Sequence, residues 1–268
     1  MRKDYKQNRA FSRMEKRGQI AIFIIVAAVI VGIIAIFFWA PRLNLGIGQT
    51  AEANPSGFLR DCIEPEARES LQAISLQGGY VSPDSFVSYQ NQKIQYLCYT
   101  SENYKPCVVQ QPLLIDHVKQ EIKSRIEPKA RSCVNELTSY YEERGYSVQA
   151  SSGEVNVDLL PGKVVINFLS PMTITKEETQ RFDRFSIAID SEIYDLLGIA
   201  TSIIQFESIL GDSETLLYMQ YYPDLRIEKI RKDDYKIYKL KNVVSEDEFN
   251  FAVRSLVWPA GYGLGESA

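Results

Sequence analysis

Residues 20–40 read IAIFIIVAAVIVGIIAIFFWA, and no charged residue stands between Arg17 and Arg42. As an α-helix rising about 1.5 Å per residue, this run spans about 31 Å, the thickness of a bilayer's hydrocarbon core. Fourteen of its residues are Ile, Val or Phe. At a few tenths of a kcal/mol each they favour insertion by about 4–8 kcal/mol as an upper bound. A core helix of a soluble domain rarely stays apolar on every face for so long. The run also exceeds the apolar core of a cleaved secretory signal, and the one A-x-A pattern, Ala51-Glu52-Ala53, lies far downstream, so a retained anchor is expected. Phe38 and Trp39 fall at interfacial depth, and Pro41 ends the helix.

Charge sets the orientation. Residues 1–18 hold seven bases and two acids, a net +5, which leaves −9 on the rest of a chain whose net charge is −4. Only Arg42 follows closely behind the apolar run. The head is therefore expected in the cytoplasm and the acidic remainder outside. An acidic body repels phosphates, so no nucleic-acid partner is expected. A hydrophobic content of 45% with 24% charged residues suits a folded domain. The expected layout is a basic head 1–18, a transmembrane helix 19–41, a Gly/Asn/Ser-rich tether 42–57 and an extracytoplasmic domain 58–268 with sub-lobes 58–145 and 146–268. Within the apolar run Ala28 and Gly32 give one small-xxx-small spacing, a common feature of such helices that carries no assignment.

Lys16-Arg17-Gly18-Gln19-Ile20 resembles the archaeal prepilin-type (class III) signal, in which a basic and a small residue precede the cut and the hydrophobic stretch follows it at once. The resemblance implies cleavage between Gly18 and Gln19 by a prepilin-type peptidase, leaving the apolar helix on the mature protein. It covers about five residues and the stretch behind them. One position departs from type IV pilins: the fifth residue after the cut is Phe23 and not Glu, which bears on filament assembly. Taken without the resemblance, Lys16, Arg17 and Gly18 form a positive-inside flank. The wider layout resembles a group of uncharacterised archaeal membrane-anchored proteins with a KRGQ-type head, one apolar helix, and a cysteine-bearing helix ending in LQGGY, here Leu76 to Tyr80 with Cys62 upstream. That likeness implies a surface location and no particular activity.

The four cysteines, Cys62, Cys98, Cys107 and Cys133, all fall on the expected outer side. An even count in an oxidising compartment reads as two disulfides, with three connectivities open. Cys98–Cys107 is favoured, because the polar stretch 99–106 turns between two apolar strand-like runs. Cys62–Cys133, on separate helices, is then the second. A metal site is disfavoured by the absence of a C-x-x-C pair and by a single histidine.

Periodicity predicts an α+β domain with helices and antiparallel sheet intermixed and no βαβ rhythm. A helix capped by Ser56 runs to about 77, kinked or restarted at Pro65, and Gly78-Gly79 stops it. Strands 85–89 and 93–99 follow. A second helix enters through Pro112, breaks at Pro128 and continues to 144. Strands are expected at 147–150, 154–160, 163–169 and 184–190, with Pro161-Gly162 turning a hairpin. An apolar helix spans 191–210, and 216–222 is ambiguous between helix and strand. A second hairpin joins 225–230 to 235–240, and 249–257 closes the sheet.

Chemistry is thinly marked. His117 and Glu121 lie one helical turn apart, which makes a two-ligand metal contact conceivable, but an exposed polar face is the expected reading. The Gly261-x-Gly263-x-Gly265 spacing has no helix behind it. Acids such as Glu177, Glu178, Asp183, Asp190 and Asp195 read as solvated surface, since a glycosidase pair is defined by spatial separation. The tyrosines 218, 221, 222, 235 and 238 read as strand packing ahead of a binding patch. No catalytic, cofactor-binding or metal residue is assigned. The expected protein is a non-enzymatic surface subunit that contacts lipid and other membrane or cell-surface proteins, pilin-like if processed. The alternatives are a tethered envelope hydrolase with an unidentified carboxylate pair and a ligand-binding sensor.

Overall fold

The computed structural model describes residues 27, 29–31, 54–151, 153–232 and 234–256. Ala27, Val29, Ile30 and Val31 are helical and exposed. The rest of the apolar run, Gly18 and Gln19, Ala28 and Gly32, and the glycines of the C-terminal tail lie outside the described residues. From residue 54 onward the chain is a mixed α+β unit.

Helix α1 (Pro55–Leu76) is capped by Asn54, whose side chain accepts from the Ser56 amide at 3.2 Å. The cap therefore lies two residues ahead of the expected Ser56, and Pro55 takes the first helical position, where its missing N–H costs nothing. Helix α2 (Leu114–Glu142) runs antiparallel to it. Both helices pass through a proline, Pro65 in α1 and Pro128 in α2. The expected break at Pro128 does not occur. Each proline faces solvent, so water takes the carbonyl that the ring frees, while the opposite face stays packed. That face is a regular stripe in each helix: Leu59, Ile63, Ala67, Leu71 and Ile74 against Val118, Ile122, Ile126, Ala130 and Leu137. Full burial of each Leu, Ile or Val is worth about 1.5–3 kcal/mol. Cys62 and Cys133 cross-link the pair with their Cα atoms 6.0 Å apart.

The main sheet has the order β1 (Phe86–Tyr89), β2 (Gln92–Tyr99), β12 (Glu248–Arg254), β11 (Lys236–Asn242), β10 (Leu225–Arg231), with β3 (Val108–Val109) also pairing β2. The pairing of β12 with β2 is parallel, with an irregularity between Ala252 and Val253; every other pair is antiparallel. The last strand thus lies inside the sheet and does not close its edge, because Phe249, Phe251 and Val253 are all fully buried. Cys98 and Cys107 are bridged across the β2–β3 turn. Two smaller antiparallel sheets complete the unit. One is β5 (Glu154–Leu160), β6 (Lys163–Leu169) and β9 (Phe185–Asp190); the other is β4 (Ser147–Ala150), β7 (Met172–Thr175) and β8 (Thr179–Phe182). Alternating burial along β5, β6 and β9 turns Val157, Ile166 and Ile187 into the core. One continuous core joins residues from Leu59 to Val253.

Helix α3 (Ile193–Leu210) packs on β12, β11, β2 and α2. Among the described residues it is the helix long and apolar enough to cross a membrane, but it buries one face in the protein core. A short helix α4 (Thr215–Tyr221) lies on β10, which resolves the ambiguous segment as helix.

Candidate interaction site

The densest collection of charged and reactive side chains sits where α3 ends. Buried positions along α3 run Leu196, Leu197, Ala200, Ile203, Ile204, and the next in the stripe is Glu207, with no exposed surface. Its carboxylate accepts from Lys236 Nζ at 2.6 Å through Oε2 and from the Tyr238 hydroxyl through Oε1. Lys236 and Tyr238 alternate inward along β11, two residues apart. The Lys236 ammonium also donates to the Gly211 carbonyl at 2.7 Å and to Asp212 Oδ1 at 3.2 Å. All three of its protons therefore have acceptors. Asp212 further binds Lys229, and Arg231 at 2.6 Å. Lys229 reaches the Ser213 carbonyl at 2.8 Å. Gly211 has φ +76°, the left-handed conformation that lets α3 stop and the chain turn back.

Burial pushes the Glu207 carboxyl above its ordinary range, outweighing the charge of Lys236 and the hydrogen bonds from Lys236 and Tyr238. Burial likewise drives the Tyr238 hydroxyl far up, with the Glu207 charge adding to it. For Asp212 burial also acts upward, but the Lys229 hydrogen bond and the charges of Lys236 and Lys229 prevail and hold its carboxyl low. The cluster works as a clamp: β10 and β11 supply cations, the helix end supplies acceptors, and the turn 211–213 is fixed between them. Glu207 and Tyr238 are fully enclosed. Three cavities lie away from the clamp. One of about 340 Å³ lies beside Arg68, Gln72, Asp190 and Lys241, one of about 320 Å³ beside Arg131, Asn135 and Phe168, and one of about 200 Å³ beside Pro55, Tyr146 and Phe182.

The residues singled out in the sequence find other employment. His117 and Glu121 are half-buried, which corrects the exposed polar face expected for them. Glu121 accepts from the Val81 amide at 2.7 Å, and the His117 ring lies against Tyr80 with centroids 4.1 Å apart. Burial lowers the His117 pKa against the pull of Glu121 and of a backbone bond to Gly79. Both side chains thus hold the turn that follows α1. That turn explains the Gly-Gly-Tyr sequence. Gly79 sits at φ +90°, and a Cβ there would come within 2.8 Å of Val118 Cγ2. Of the acids, Glu192 and Asp195 lie close to each other and to Asp247 at the start of α3. Asp247 Oδ2 accepts from the Glu192 amide at 2.6 Å, an anion at a helix N-terminus. Burial raises the Glu192 pKa, with the Asp195 hydrogen bond and charge adding to it. Among the described residues no group of three metal-ligating side chains converges. The tyrosines divide. Tyr238 is core, stacked on Phe251 at 5.2 Å, whereas Tyr221 and Tyr222 are exposed on and just after α4.

Beyond the clamp lies an unusual surface. Phe206, Ile209 and Leu210 on α3 and Leu216, Leu217 and Tyr221 on α4 are between 47% and 80% exposed. The Tyr218 hydroxyl lies 2.7 Å from Ser202 Oγ and ties α4 to α3, so these six stand on the two arms of one helix–turn–helix hairpin. Large apolar side chains exposed together on neighbouring helices mark interaction sites on soluble domains. The sequence reading missed it because the α3 pattern is apolar on most of its faces, and burial cannot be apportioned among them without the packing partners.

No family model matches this chain, and neither a curated protein nor a solved structure shows significant similarity to it.

Proposed function

We propose that this protein is a single-pass, membrane-anchored cell-surface protein whose extracytoplasmic α+β domain acts as a non-enzymatic interaction or assembly subunit. The observation that carries the interaction role is the α3–α4 hairpin, which turns six large apolar side chains to solvent while the nearby charged cluster is closed off as a clamp. The membrane location rests on the uncharged run 20–40 and the basic head before it. Two disulfides, with no free cysteine among the described residues, agree with an oxidising compartment. The archaeal prepilin-type resemblance adds a route for processing at Gly18–Gln19.

Carbonate washing of native membranes, followed by protease treatment of intact cells, tests the placement. The full-length chain should stay with the membrane, and the domain should be cut without lysis. Release by carbonate, or a domain cut only after lysis, rejects it. Mass spectrometry of the mature N-terminus tests the processing: Gln19 supports the prepilin route and Met1 or Arg2 rejects it.

A further inference from the structure

We propose that the α3–α4 hairpin seats an apolar helix of a partner protein, and that this helix is flanked by lysine or arginine. The inference rests on the interaction reading above and names the partner's chemistry. The seat is apolar and follows helical spacing, with Phe206, Ile209 and Leu210 on one arm and Leu216, Leu217 and Tyr221 on the other. Helix-in-groove recognition uses side chains at such spacing.

Charge then chooses among occupants. Between Arg184 and Arg226 the chain has no Lys or Arg and seven acids. Glu207 and Asp212 are consumed by the clamp. Glu214 and Asp224, one just before α4 and one just after it, are exposed and make no ion pair among the described residues. The apolar residues of α4 stand between these two carboxylates, with the Arg226 guanidinium turned back onto the Pro223 and Leu225 carbonyls, and complement a helix with bases at its ends. An anionic lipid surface would be repelled by the same carboxylates. A second copy docking face to face would bring like charges together.

The test uses the full chain in phosphatidylcholine nanodiscs. The probes are two fluorescein-labelled helical peptides with the same leucine stripe, one with two lysines at each end and the other with two glutamates. The lysine peptide should bind about tenfold tighter, the worth of two exposed charge pairs at roughly 0.7 kcal/mol each. Added salt should narrow the difference. Leu216→Glu with Leu217→Glu should abolish binding of both peptides, while Glu214→Lys with Asp224→Lys should reverse their order. Equal affinity for the two peptides, with loss in the leucine variant, overturns the basic-flank proposal but leaves an apolar docking face. Absence of binding to the unaltered protein, or binding untouched by the leucine variant, overturns both. Sedimentation of the unaltered and leucine-variant proteins checks self-association through this face. A dimer lost in the variant also rejects the proposal.

Discussion

Two helical regions of this protein, the α1–α2 pair and the end of α3 leading into α4, are held by opposite means. The α1–α2 pair is closed by apolar stripes and a covalent bridge, Cys62–Cys133, set into its packed face. The end of α3 and the turn into α4 are instead held to β10 and β11 by ions: Glu207, Asp212, Lys229 and Lys236 around Gly211. A disulfide restrains the chain even when neighbouring contacts are lost. An ionic clamp fails when one member is removed, because the partner left behind is a buried, uncompensated charge. The restraint on α1–α2 is therefore robust, and the one beneath the apolar surface is conditional.

Lys236→Ala should give the largest loss, approaching about 5 kcal/mol by urea denaturation, since it strands Glu207 in the core. The comparison sharpens if Lys236→Met with Glu207→Leu regains most of that loss, as packed apolar replacements do for buried ion pairs. Replacing Cys62 and Cys133 by serine should cost about 4 kcal/mol, from the long loop they close in the chain-entropy model. Hydrogen exchange would separate the two: the serine variant should loosen α1 and α2, and Lys236→Ala should expose amides from 208 to 222. Equal exchange in both variants would erase the distinction. Gly79→Ala should cost about 2–3 kcal/mol, combining left-handed strain with crowding against Val118. It should lower the midpoint of thermal unfolding and leave amides 208–222 protected.

The smallest effect is one of pH. The Glu207 pKa is raised in the folded state from the ordinary 4.5. Its contribution to stability is then complete below that value and declines as pH rises through the raised one. Asp212, held below 3.8, acts in reverse: its contribution is complete above that value and is lost as pH falls through the lowered one. Glu207→Gln should therefore remove the decline above the ordinary carboxyl range and leave the acid limb. Urea midpoints measured from about pH 4 to 8 would show it; an unchanged slope in the variant would remove Glu207 from the account.

Much of the fold was legible because it follows local rules. The helices announce themselves by stripes, Leu59-Ile63-Ala67 and Val118-Ile122-Ile126, and the hairpins by Pro161-Gly162 and by the polar span before Lys236. Cys98–Cys107 could be inferred from the polar turn between its members, and Cys62–Cys133 followed as the remaining pair. Pro128 misled, since a proline's cost depends on which side of the helix it occupies, and that is known only once the packed side is. The strands β7 and β8 are four residues each, too short for alternation to stand out. The clamp was half legible. Glu207 continues the Ile203-Ile204 stripe, a charge at a core position and so a sign of a buried partner. Its partner is 29 residues away on another element, and only the packing of α3 on β11 brings it near.

The parallel contact of β12 with β2 ties the last described strand to one made about 155 residues earlier in synthesis. As the chain emerges from the ribosome, β2 can pair only with β1 and β3, and β10 only with β11. The two ribbons wait as separate pieces until residues 248–254 arrive and slot between them. Final assembly of the sheet therefore waits for this strand, and a chain stopped short of Glu248 would keep two unjoined ribbons with open edges, a ready substrate for aggregation.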